Sequence, residues 1–119
     1  MTVRITRGAD APRYHPPRHS GVDARRLQGH EAGPTQRFWV GESRYQPGAV
    51  AERSATTEET VYVVLDGELR LILEDGSAQA LASGDSVHLP RGTTRSVENT
   101  SGRDARLLVI IATPSRTES

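Results

Sequence analysis

The sequence predicts an all-β fold, and three observations carry that prediction. Apolar and polar residues alternate in short runs, as in QRFWVGESRY (36–45) and ELRLIL (68–73), which is the period of a half-buried strand. Turn residues (Gly, Pro, Asp, Asn) punctuate these runs about every 8–12 residues, as in a sandwich or barrel. No segment sustains helical spacing. At 119 residues the chain suits one domain, read as an arm over 1–22, a barrel core over 36–112 and a frayed tail over 113–119.

Taken in order, Val3 to Thr6 alternates and predicts a short strand. Ala9 to Gly21 holds Pro12, Pro16 and Pro17, which predicts an extended arm. Asp23 to Gln28 predicts a short strand and Gly29 to Pro34 a turn. Gln36 to Tyr45 predicts a strand with Phe38 and Val40 on one face and Trp39 on the other, ended by Pro47-Gly48. Thr60 to Leu65 and Glu68 to Glu74 flank Asp66-Gly67, the strongest short-range signal for a hairpin. Asp75-Gly76 predicts a second tight turn before a strand at Ser77 to Leu81. Ser86 to Leu89 and Thr94 to Val97 are short strands separated by Pro90-Arg91-Gly92. Ala105 to Ala112 is apolar almost throughout, as in a strand covered on both faces.

The bulk composition excludes several chemistries. There is no Cys, hence no disulfide, thiolate nucleophile or Cys-ligated zinc. All 15 Lys+Arg residues are Arg, so Schiff-base or general-base lysine chemistry is absent. Proton transfer is left to His, Asp, Glu, Tyr or water. The formal charge is zero, which leaves no electrostatic footprint for nucleic acid. Arg4, Arg7, Arg13, Arg18, Arg25 and Arg26 make the first 26 residues locally basic, read as a solvated stretch rather than a nucleic-acid tail. No apolar run reaches the ~20 residues of a membrane span, and residues 1–20 lack a signal-peptide core, so the cytoplasm is expected.

Two blocks resemble the cupin family. Gly48 and Gly67 occupy the glycine positions of its first motif, G-x5-H-x-H-x3-4-E-x6-G. Gly84, Pro90, Gly92 and Asn99 fit the second, G-x5-P-x-G-x2-H-x3-N, without gaps. The resemblance implies a jelly-roll β-barrel (double-stranded β-helix) with an N-terminal arm, and a homodimer. At the family's metal-ligand positions this chain departs throughout: Ser54 and Thr56 stand at the two His positions, Thr60 at the Glu and Arg95 at the last His. Neutral hydroxyls and a guanidinium do not replace imidazoles and a carboxylate around a transition metal. No cofactor or metal is expected at this site.

The family pattern points Thr60 inward, and alternation then carries Tyr62 and Val64 with it. Arg95 would grip carboxylate, phosphate or enolate oxygens, unless it folds outward onto Glu98. Ser54, Thr56, Thr60, Tyr62, Arg95 and Trp39 are the expected substrate-binding set, Trp39 also suiting a core or dimer interface. His88, Glu58 and His19 are the candidate acid/base groups. His88 equally suits an outward histidine, Glu58 a solvated carboxylate and His19 a solvated arm residue. These expectations fit a metal-independent lyase, isomerase or cyclase acting on a small polar or anionic molecule. A non-catalytic small-molecule sensor is one alternative. A divergent oxygenase, with a metal site rebuilt from Glu58, His88 and an arm histidine, is another.

Overall fold

A computed structural model of the chain describes residues 2–114, so most of the expected frayed tail lies outside the described residues. Its strands are β1 (Arg13–Tyr14), β2 (His19–Gln28), β3 (Phe38–Ala55), β4 (Thr60–Asp66), β5 (Glu68–Leu73), β6 (Ala78–Ala82), β7 (Ser86–Leu89), β8 (Thr94–Glu98) and β9 (Ala105–Ala112). They form one sheet rolled nearly shut, in the order β6-β5-β8-β3-β9-β4-β7, with β2 on β3 and β1 on β2. The all-β jelly-roll barrel expected from the sequence is the observed architecture. Among the described residues no helix is long and apolar enough to cross a membrane.

The long strand β3 joins the two halves of the roll. Its first half, Phe38 to Tyr45, pairs with β9, and its second, Val50 to Ala55, pairs with β8. The sequence reading ended this strand at Pro47-Gly48. The chain instead bends there and continues, because Gly48 takes φ 83 and its N–H still donates to the Asn99 carbonyl at 2.8 Å. Asn99 is buried, and its Nδ2 donates to the carbonyls of Tyr45 (2.9 Å) and Arg103 (2.7 Å). One motif asparagine thus ties the bend of β3 to the β8–β9 loop.

The Asp66-Gly67 hairpin is not formed. β4 pairs with β7 and β9, while β5 pairs with β6 and β8. Asp66-Gly67 is a corner at which the chain leaves one half of the roll for the other. Gly67 has φ 81, and a Cβ there would lie 2.7 Å from the Asp104 carbonyl oxygen and 2.9 Å from Ala105 Cα. The true hairpin closes at Asp75-Gly76, where Leu73 N–H donates to Ser77 O (2.9 Å) and Gly76 N–H to Leu73 O (3.0 Å). Two further expectations shift. Val3 to Thr6 forms no strand, and the strand predicted at Asp23 begins at His19.

Alternation sorts the interior into two ends. Val64, Leu69, Leu71, Val97, Ala105 and Leu107 fill one end with aliphatic side chains. Along β4 the same inward face passes from Val64 to Tyr62 to Thr60, so polarity rises toward the other end. That gradient leaves an open, polar cavity above an apolar plug.

Gly67→Ala and Gly76→Ala separate the two roles of glycine here. Both impose a left-handed backbone on a residue with a Cβ, costing about 1–2 kcal/mol. Only Gly67→Ala adds a collision with backbone, since nothing lies within 4 Å of a Cβ at Gly76. Urea unfolding should show Gly67→Ala losing more than about 3 kcal/mol and Gly76→Ala about 1–2 kcal/mol. Equal losses would contradict the corner packing.

Candidate functional site

The polar end of the barrel opens into a cavity of about 870 Å³, within the range of small-molecule sites. Strands β3, β4, β8 and β9 provide its floor. The arm segment Arg13 to His19 provides one wall. This segment is a bridge between two pinned ends: Tyr14 pairs with Ala24, and His19 pairs with Ala51. Between them Pro16 and Pro17 supply no N–H, and Arg18 turns the chain into β2 at φ 60.

Arg95 lies on the floor. Its Nε donates to Tyr62 Oη at 3.0 Å, and its Nη1 donates to Ser54 Oγ at 2.9 Å and to the Glu52 carbonyl at 3.4 Å. All three acceptors are neutral. Among the described residues Arg95 makes no ion pair, and its Nη2 donates no side-chain or backbone hydrogen bond. The outward alternative onto Glu98 is not taken. A half-buried guanidinium held only by dipoles is a fixed positive charge aimed at whatever enters the cavity.

His19 also lines the cavity. Its Nδ1 lies 2.8 Å from the Pro17 carbonyl. A carbonyl only accepts, so Nδ1 carries the proton and the neutral ring keeps its free lone pair on Nε2. Burial holds the His19 pKa below the ordinary 6.5; the Pro17 bond opposes this, and the Arg95 charge adds to it. The imidazole is therefore neutral, and competent as a base, at pH 7.

An aromatic and cationic clamp holds the arm wall in place. The Arg26 guanidinium lies 3.6 Å from the Tyr14 ring centroid and 4.2 Å from that of Trp39. Its Nε donates to Glu31 Oε1 at 3.0 Å. Tyr14 and His30 each meet Trp39 edge-on, with centroids 5.7 and 5.5 Å away. Glu31 is the carboxylate of the cavity lining; its own backbone N–H and then Arg26 hold its pKa below the usual range. Burial raises the phenols of Tyr14, against the pull of Arg26, and of Tyr45.

The remaining candidates fall in different places. Ser54, Thr56, Thr60, Tyr62 and Trp39 all line the cavity with Arg95. Two of their hydroxyls are already committed to the backbone. Thr56 Oγ1 donates to Pro90 O (2.8 Å) and accepts from Thr93 N–H (3.0 Å), and Thr60 Oγ1 donates to Glu58 O (2.9 Å). His88 does not line the cavity. It sits on the outer face of β7, with Nε2 2.6 Å from Glu59 Oε2, because Leu89 beside it points into the core. Glu58 lies outside the lining as well. The rebuilt metal site from Glu58, His88 and an arm histidine is not assembled: among the described residues no three His, Cys, Asp or Glu side chains come together to hold an ion. At the family's ligand positions, Ser54 and Arg95 bond to each other, so the donors there do not fit a metal cation.

Sequence reasoning missed Tyr14, Arg26 and Glu31 as parts of the site. The available signal was alternation: Ala24 is buried, which places Arg26 on the same inner face of β2. Reading the basic residues as a solvated arm hid it.

A family model described as "Cupin domain" matches residues 41–111. A protein of Mycobacterium tuberculosis (strain ATCC 25618 / H37Rv) named "Beta-D-galactosidase Rv1717" is 54% identical over 112 residues, covering 94% of this chain and 96% of that one. Among solved structures, the polyketide cyclase RemF from Streptomyces resistomycificus superposes with a TM-score of 0.80 at 23% identity, over 94% of this chain and 80% of that one. KdgF from Halomonas sp. superposes with a TM-score of 0.76 at 15% identity, over 97% and 96%. At these identities the two structures share the fold.

The His19 environment is directly measurable. Its folded pKa is lowered, so the unfolded chain binds the proton more readily. This contribution to stability is complete above pH ~6.5 and falls away as the pH drops from there through the folded value. NMR titration should show the His19 imidazole midpoint below 6.5, moving up in Arg95→Gln. A midpoint at or above 6.5 would contradict the burial described.

Proposed function

The chain belongs to the cupin family, and from that membership we propose that it is a metal-independent enzyme acting on a small, polar, sugar-like molecule. The molecule carries, or develops during reaction, negative charge on oxygen. The observation that carries this reading is the Arg95 guanidinium, seated on Tyr62 and Ser54 and, among the described residues, without a carboxylate in salt-bridge contact. A preorganised cation stabilises an oxyanion without reorganising as the charge appears. His19, with Nε2 free, is the proton-transfer group. Lyase, isomerase or cyclase chemistry uses this pair. A purely binding cupin would have no need of a neutral imidazole in the same cavity as the cation.

Glycoside hydrolysis is a second reading, favoured by the 54% identical relative named as a beta-D-galactosidase. The hydroxyl and aromatic lining suits a sugar. The usual hydrolytic machinery is a pair of carboxyl groups roughly 5–9.5 Å apart, one of them protonated. Glu31 is the carboxylate of this lining, and it is held ionised. The sugar part of that reading is therefore adopted and the hydrolytic part is not.

Arg95→Ala tests the anion grip. Losing charge-assisted hydrogen bonds worth roughly 1.5–3 kcal/mol should weaken galacturonate binding about ten- to a hundred-fold in calorimetry, with the fold intact by circular dichroism. Galactose binding should change far less. Unchanged galacturonate affinity would remove Arg95 from the account.

A further inference from the structure

We infer that the substrate is a glycoside of a sugar acid, and that the chain cleaves it by β-elimination rather than by adding water. This rests on the reading of Arg95 and His19 given above and specifies its substrate and its reaction.

Three features of the cavity support it. Arg95 spends Nε and Nη1 on Tyr62, Ser54 and Glu52 and leaves Nη2 open, so a carboxylate can dock on the remaining N–H donors. A carboxylate paired with a guanidinium no longer repels the carbanion charge that forms when its α-proton leaves, which is where elimination begins. His19 holds Nδ1–H against the Pro17 carbonyl, which fixes Nε2 as the nitrogen that takes that proton. Tyr62 accepts from Arg95 Nε, so its own O–H remains free to donate. Ser54 Oγ is the other hydroxyl held against the cation, and an aliphatic hydroxyl is a weaker acid than a phenol.

The step balances within these groups. The C–H bond α to the carboxylate breaks and its proton goes to His19 Nε2. The electron pair forms a carbon–carbon double bond to the β-carbon. The bond from that carbon to the glycosidic oxygen breaks, and the departing oxygen takes the Tyr62 proton. Proton return from the imidazolium to the phenolate restores the site. No water, oxidant or metal is consumed. The products are a free sugar and an unsaturated sugar acid.

The chemistry needs the carboxylate, which sets the test. The probes are two disaccharides. In one, galactose is attached to glucuronate on the carbon β to its carboxylate; the other is lactose, in which a hydroxymethyl replaces that carboxylate. The expected result is consumption of the acidic disaccharide alone. Its sugar-acid product should absorb in the ultraviolet and weigh one water less than glucuronate. His19→Gln should slow this about 10²–10⁴-fold while still binding galacturonate through Arg95. Tyr62→Phe should slow it by a similar factor and, because Tyr62 also seats Arg95, weaken galacturonate binding as well. Release of intact glucuronate would establish hydrolysis and overturn elimination, leaving the anion grip standing. Binding of the acidic disaccharide with no turnover overturns it as well. Failure of the wild-type protein to bind either galacturonate or the acidic disaccharide would overturn the anion grip along with it.

Discussion

A guanidinium held by a phenol, a serine hydroxyl and a carbonyl has its geometry satisfied but its charge unanswered. Arg95 is in that position, and the polar end of the barrel is organised around it. Coulomb attraction in a partly enclosed site is several times stronger than in open water. A chain that keeps such a charge away from its own carboxylates leaves the compensation to a ligand. The same charge acts on His19, helping to hold the imidazole neutral. In a fold that commonly places a metal ion at this point, the positive charge here belongs to a side chain. It cannot be chelated away and does not change oxidation state.

The rest of the structure serves to present that charge. Strand β3 must bend without breaking so that Ser54 faces Arg95, and Gly48 and Asn99 make the bend. The corner at Gly67 carries the chain between the halves of the roll, placing Tyr62 on one and Arg95 on the other. The aliphatic plug fills the barrel beneath them. Arg26, stacked on Tyr14 and Trp39 and bonded to Glu31, pins the arm. The prolines of that arm then deliver His19 to the cavity.

The architecture was legible because glycine, proline and asparagine at fixed offsets mark bends and corners that other residues adopt only under strain. The floor of the site was legible for a related reason: once Thr60 points inward, alternation places Tyr62 with it. What failed was choice of partner. Asp66-Gly67 signals a left-handed turn, and it is one, but a local signal does not say whether the flanking strands pair with each other. The direction of His88 was left open between cavity and outer face, although alternation with the buried Leu89 speaks for the outer face. The arm was the least legible part. Whether His19 and Arg26 reach the cavity depends on contacts with Pro17, Trp39 and Ala51 that are distant in sequence or invisible to periodicity. There, composition suggested only a solvated basic stretch.

The central claim is that a side-chain cation, not a bound ion, receives the ligand's negative charge. The most direct measurement is the affinity for galacturonate before and after exhaustive chelation, with elemental analysis of the same samples. The account predicts one affinity in both samples and no stoichiometric transition metal in either. Affinity that vanishes on chelation and returns with an added divalent metal would contradict it.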